Sequence, residues 1–127
     1  MSMNTSQVDA LNDSILLTVR KLIGPGGDHE FFDADYVIHI NTVLAILRQL
    51  GIGPKNGYYI TGTSETWADY LGDQISMLEP VKTYIYLKVK KIFDPPSSGA
   101  LAEAMNSMIS ELEWRLNVTV DPGEVLL

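Results

Sequence analysis

Glycine and proline cut this chain into pieces longer than an ordinary strand and the right length for helices. Gly24-Pro25-Gly26-Gly27, Gly51-Ile52-Gly53-Pro54 and Asp94-Pro95-Pro96-Ser97-Ser98 separate runs with apolar residues at helical spacing. The first run spans about residues 6–23, with Leu11, Ile15, Val19, Leu22 and Ile23 in register and Ser6 and Asp9 as a capping pair. The second follows Asp33, a candidate cap, with Asp35 suited to the positive end of the helix dipole. Its stripe is Tyr36, Val37, Ile40, Val43, Leu44, Leu47 and Leu50, and Gly51 suits the position after the helix end.

The third run, from Pro80 to Asp94, fits two patterns. Val81, Ile85, Val89 and Ile92 form a helical stripe, while Thr83, Ile85, Leu87 and Val89 alternate as in a strand. Pro80 suits the first turn of a helix, and the length exceeds that of an ordinary strand, so helix is favoured. The fourth run covers residues 99–117, with an expected apolar face of Leu101, Met105, Met108, Leu112 and Leu116. Residues 118–127, with Asp121-Pro122-Gly123, read as a tail or docking arm.

Between the second and third runs, residues 51–73 form an irregular excursion. Asn56-Gly57 signals a turn, and Tyr58-Tyr59-Ile60 is a short extended candidate. Thr63 or Ser64 is the expected cap of a short helix carrying Trp67, Tyr70 and Leu71. The expectation is an all-α single domain: a bundle of about four helices with a loop excursion around residues 51–73.

Composition narrows the chemistry. The 127 residues include no cysteine, which removes disulfides, thiol nucleophiles and zinc–thiolate sites. Nine Lys and Arg against sixteen Asp and Glu give a net charge of -7, the wrong balance for tight phosphate-backbone binding. The polar, uncharged residues 1–7 do not read as a signal peptide, and no apolar run approaches a membrane span, so a soluble domain made inside the cell is expected. His29, Glu30, Asp33, Asp35 and His39 are the densest polar cluster, but no H-x-x-x-H or E-x-x-H pair among them places two ligands on one helix face, and Asp33 and Asp35 read as cap and dipole partners. The glycine-rich junctions lack the ending of a phosphate loop, and no nucleophile–histidine arrangement or carboxylate pair suggests hydrolysis. No enzyme activity, cofactor or metal is expected.

Two features point to protein contacts. Tyr58, Tyr59, Trp67 and Tyr70 crowd the excursion, where large aromatics serve either as core or as interface anchors. Lys82, Lys88, Lys90 and Lys91 hold four of the nine basic residues, with Lys88 and Lys91 neighbours on a helix. Tyr58, Tyr59, Trp67, Lys88 and Lys91 are therefore the candidate interface residues. The lysines read either as a solvated face or as one side of a charge-complementary contact with acidic segments.

The run Leu78-Glu79-Pro80-Val81-Lys82-Thr83-Tyr84-Ile85-Tyr86-Leu87-Lys88-Val89 is followed by Phe93-Asp94-Pro95-Pro96-Ser97-Ser98 and by Ile109-Ser110-Glu111-Leu112-Glu113-Trp114-Arg115-Leu116-Asn117. Upstream stand His39-Ile40-Asn41-Thr42-Val43, Leu50-Gly51-Ile52-Gly53-Pro54 and Trp67-Ala68-Asp69-Tyr70-Leu71-Gly72-Asp73. In this order they resemble the small head–tail connector, or adaptor, proteins of tailed double-stranded DNA bacteriophages and prophages, over roughly residues 11–117. The resemblance implies a small helical bundle, helix for the third run, and no catalysis. It also implies a ring of about a dozen copies under the portal vertex, placed in the virion neck after assembly in the host cytoplasm. Its partners would be other copies of itself, the portal protein and the next neck or tail protein. DNA would pass through the channel without sequence-specific binding, and no membrane would be involved. The competing expectation is a small acidic helical regulator that binds another protein and is not part of the virion.

Overall fold

The computed structural model describes residues 9–24 and 30–120, and these are mostly helical with no strand among them. Five α-helices are α1 (Ile15–Ile23), α2 (Asp33–Gln49), α3 (Trp67–Leu71), α4 (Leu78–Phe93) and α5 (Gly99–Val120). Short 3-10 turns at Glu30–Phe32 and Ile75–Met77 lead into α2 and α4. The third run is thus a helix, with Pro80 in its first turn, where its missing N–H leaves no intrahelical bond unmade.

Helix α4 is the centre of the bundle. Helices α1 and α2 pack on it and on each other, and α5 packs against it as well. Leu78, Val81, Tyr84, Ile85, Leu87 and Val89 are all buried, which covers more of its circumference than a single stripe. Together with Ile15, Leu16, Val19, Tyr36, Ile40, Leu44, Leu47, Trp67 and Tyr70 they belong to one apolar cluster. Each large side chain removed from water contributes about 1.5–3 kcal/mol before the ordering entropy is subtracted.

Several boundaries differ from the sequence expectation. Residues 9–11 are helical, but α1 starts only at Ile15, capped by the Ser14 hydroxyl, which accepts from the Leu17 N–H at 3.2 Å. The break arises because residues 13–15 pair their backbone elsewhere. Ser14 and Thr66 form an isolated antiparallel bridge, with Ile15 N–H donating to the Glu65 carbonyl and Trp67 N–H to that of Asp13. The expected Ser6 cap lies outside the described residues.

Asp33 does not cap α2. It sits in the first turn and takes the Arg20 guanidinium through both oxygens, at 2.9 and 3.0 Å. Helix α2 closes on Gly51, at φ +92°, with Gly51 N–H donating to Arg48 and Ile52 N–H to Leu47. Buried Ile52 completes this glycine-dependent closure.

Thr66, rather than Thr63 or Ser64, caps α3 in a reciprocal box with Asp69. The Ser98 hydroxyl accepts from Leu101 N–H and starts α5, which runs to Val120, about 33 Å. The arm expected from residue 118 therefore begins as helix, and its remainder lies outside the described residues.

Candidate assembly surfaces

The excursion between α2 and α4 carries one short helix and is tied to the bundle by side-chain amides. The Asn41 amide donates to the Ile60 carbonyl at 2.9 Å and accepts from Ile60 N–H at 2.7 Å. Gln74 does the same for the other end, accepting from Gly53 N–H at 2.8 Å and donating to the Gly51 carbonyl at 3.0 Å. An amide offers a donor and an acceptor side by side, which matches one stretch of backbone as a neighbouring strand would. Glu65 accepts from the N–H and hydroxyl of Thr61. Burial pushes its carboxyl up, but the bonds from Thr61 and Gly62 outweigh this and hold it below the usual value.

These ties sort the aromatic candidates. Trp67 is 0% exposed, and its indole N–H donates to the Thr18 hydroxyl at 3.1 Å. It is a core residue joining α3 to α1, so its place among the interface candidates is corrected. Tyr58 is half-buried, 5.3 Å from the Tyr70 ring. Burial, with Asp69 and Glu65 adding, pushes its hydroxyl up to about 12. Tyr70 is buried beneath it, with a hydroxyl that has no hydrogen-bond partner among the described residues. Tyr59 points outward, 69% exposed. No strand forms at Tyr58-Tyr59-Ile60, because the Asn41 amide takes the Ile60 backbone bonds that a strand would supply.

The other surface lies where α4 ends. Lys82 pairs with Glu79 and Lys90 with Asp94, at 3.0 and 2.7 Å. Lys88 and Lys91 have no carboxylate partner among the described residues. The Lys88 ammonium lies 6.0 Å from the Tyr84 ring, within loose cation–π reach. Ile92, expected in the apolar stripe, is exposed beside them, while its neighbour Phe93 takes the side of the last turn that meets α2.

Phe93 turns inward, 4.2 Å from the Tyr36 ring, with His39 edge-on at 5.4 Å and Phe32 at 6.1 Å. Phe31 stands out from that cluster, 84% exposed. Phe31 and Phe32 together are more apolar surface than this short turn buries, a signal of this surface that sequence reasoning passed over.

Beyond the turn at Pro95-Pro96, α5 also departs from its expected face. Met105, Ile109 and Leu116 are buried against α4, whereas Leu101 and Met108 are exposed. They line a groove of about 450 Å³ with Leu87, Met105, Pro95 and Pro96. Among the described helices α5 packs mainly on α4, so only part of its apolar surface is covered. Trp114 faces solvent at 60% exposure. The bond that crosses from α5 to α4 runs from the buried Tyr84 hydroxyl to Glu113, at 2.6 Å. Burial first, then Glu113, pushes the Tyr84 hydroxyl well above its ordinary range.

Among the described residues no cluster of three or more histidines and carboxylates is placed to hold a metal, and no helix is long and apolar enough to cross a membrane. The arrangement supplies exposed apolar side chains, unpaired charges and a well-fixed loop, which are the materials of protein contacts.

A family model described as phage connector protein matches residues 15–123, from the start of α1 past the end of α5. No curated protein matches the chain, and no solved structure matches it.

Proposed function

The chain belongs to the phage connector protein family, and from that premise we propose that it is a structural subunit of the head–tail connector in the virion neck. Copies form a closed ring of about a dozen under the portal vertex. The ring lengthens the DNA channel and offers its far face to the next neck or tail protein. The observation that carries this reading is the family match across all five helices.

The physical character of the chain supports it. DNA must slide through a connector without being gripped, and tight gripping needs lysine- and arginine-driven counterion release. A chain with a net charge of -7 does not supply that drive. A ring subunit also needs surface to spare for its neighbours. Phe31, Tyr59, Ile92, Leu101, Met108 and Trp114 are large apolar side chains left in solvent by the isolated subunit.

The test is a stop codon at Trp67 in the encoding phage or prophage, with the resulting particles viewed by electron microscopy. DNA-filled heads and free tails accumulating separately are the expected result. Complete tailed particles at normal yield, with none of this chain's peptides in wild-type virions, would overturn the reading in favour of a regulator outside the virion.

A further inference from the structure

The subunit is electrically lopsided along its central helix. Where α4 begins, Glu65, Asp69 and Asp73 precede it, and the Ser14–Thr66 bridge brings Asp13 to the same end. None of these four carboxylates forms an ion pair among the described residues. Lys55 shares a shallow depression with Asp69 and Asp73 without pairing to either. Tyr59 stands exposed in the same loop, next to Tyr58, whose hydroxyl senses Asp69 and Glu65.

Where α4 ends, unpaired carboxylates stand on one side and unpaired lysines on the other. Asp33 is neutralised by Arg20 and Asp94 by Lys90, leaving Glu30 and Asp35 on the α2 side. On the α4 side, Lys88 and Lys91 are unpaired, with Ile92 exposed beside them.

We infer that these two ends meet between neighbouring copies: the Lys88–Lys91–Ile92 patch of one subunit docks on the Asp13–Glu65–Asp73 patch of the next, with Tyr59 at the contact. This rests on the connector reading and gives its ring a direction. A head-to-tail ring needs two different, complementary patches on one chain, and these two are opposite in sign and separated along α4. Pairing like ends in a two-fold dimer would set lysine against lysine or carboxylate against carboxylate. An exposed tyrosine adds an apolar surface and an aromatic face for a lysine.

The absence of cysteine makes the test direct. Lys91→Cys and Asp73→Cys are made separately in the full chain, mixed, and oxidised. Within one subunit the two positions flank about 20 Å of α4, far beyond disulfide reach, so a bond between them must join two copies. The expected result is heterodimers in the mixture and no homodimer from either variant alone. The chain carrying both cysteines should give a ladder of dimers, trimers and larger species.

In a second arm, Lys88→Glu in the chain carrying both cysteines should abolish the ladder, and adding Asp13→Lys to complete a double swap should restore it. Asp69 is spared because it caps α3. Homodimers of Lys91→Cys, no heterodimer in the mixture, or no rescue by the double swap would each overturn the inference. The connector reading falls separately, on the particle experiment above.

Discussion

Gly53 shows how much a single residue holds. Its φ is +88°, and a methyl group there would meet a Tyr70 ring carbon at 2.5 Å. Tyr70 is buried and cannot step aside into solvent. Gly53→Ala therefore combines a strained backbone with an overpacked contact, and a loss of about 2–4 kcal/mol in urea unfolding is expected. A variant as stable as the parent would mean that the ring has room to move. The residues that fix the excursion were not legible in the sequence. Asn41 lies 19 residues from Ile60, and Gln74 lies 21 from Gly53. Nothing in local spacing distinguishes such an amide from one facing solvent. Trp67 was ambiguous for a related reason, because a loop aromatic becomes core only when another element, here α1, is folded over it.

At the scale of elements, α5 depends on α4. The Tyr84–Glu113 bond ties the two together in a mostly apolar contact. Tyr84→Phe keeps the ring and removes the hydroxyl, so about 1.5 kcal/mol should be lost. Amide hydrogen exchange should rise in α5 more than in α1 or α2. Uniform protection across the helices would show that packing alone seats α5.

The helix bodies were legible where periodicity was long. The α2 stripe, the closure at Gly51 and the Ser98 start all lie where spacing and turn chemistry indicate. The starts of α1 and α3 were not, because Ser14 and Thr66 are chosen by their mutual pairing, 52 positions apart in the chain. The exposed Ile92, Leu101 and Met108 expose a further limit. Periodicity reports which side of a helix is apolar, and only the other elements decide how much of that side is covered.

For the molecule as a whole, the family match and the unpaired charges make different demands. The bundle core is apolar, and its buried residues include no charged side chain among those described. Folding should therefore respond weakly to ionic strength. Contact between the oppositely charged ends should respond strongly, since exposed charges are screened within about 10 Å at 0.1 M salt. Sedimentation velocity at rising salt should show self-association weakening while the helical circular dichroism stays constant. Association that strengthens with salt would point to Leu101, Met108 and Trp114 as the dominant surface. The candidate residues read from the sequence divide along this line. Tyr59 belongs to the acidic end, Lys88 and Lys91 to the basic end, and Trp67 to neither.

The amide clamps at Asn41 and Gln74 carry no net charge and do not titrate over any pH at which the chain is folded. A particle that leaves its host meets fluids of varied acidity and mineral content. The carboxylates and lysines on its surface register every such change, while the neutral clamps that set the loop's position do not. The subunit thus seats its loop on the bundle through chemistry indifferent to the medium and leaves its adhesion to chemistry that responds to it.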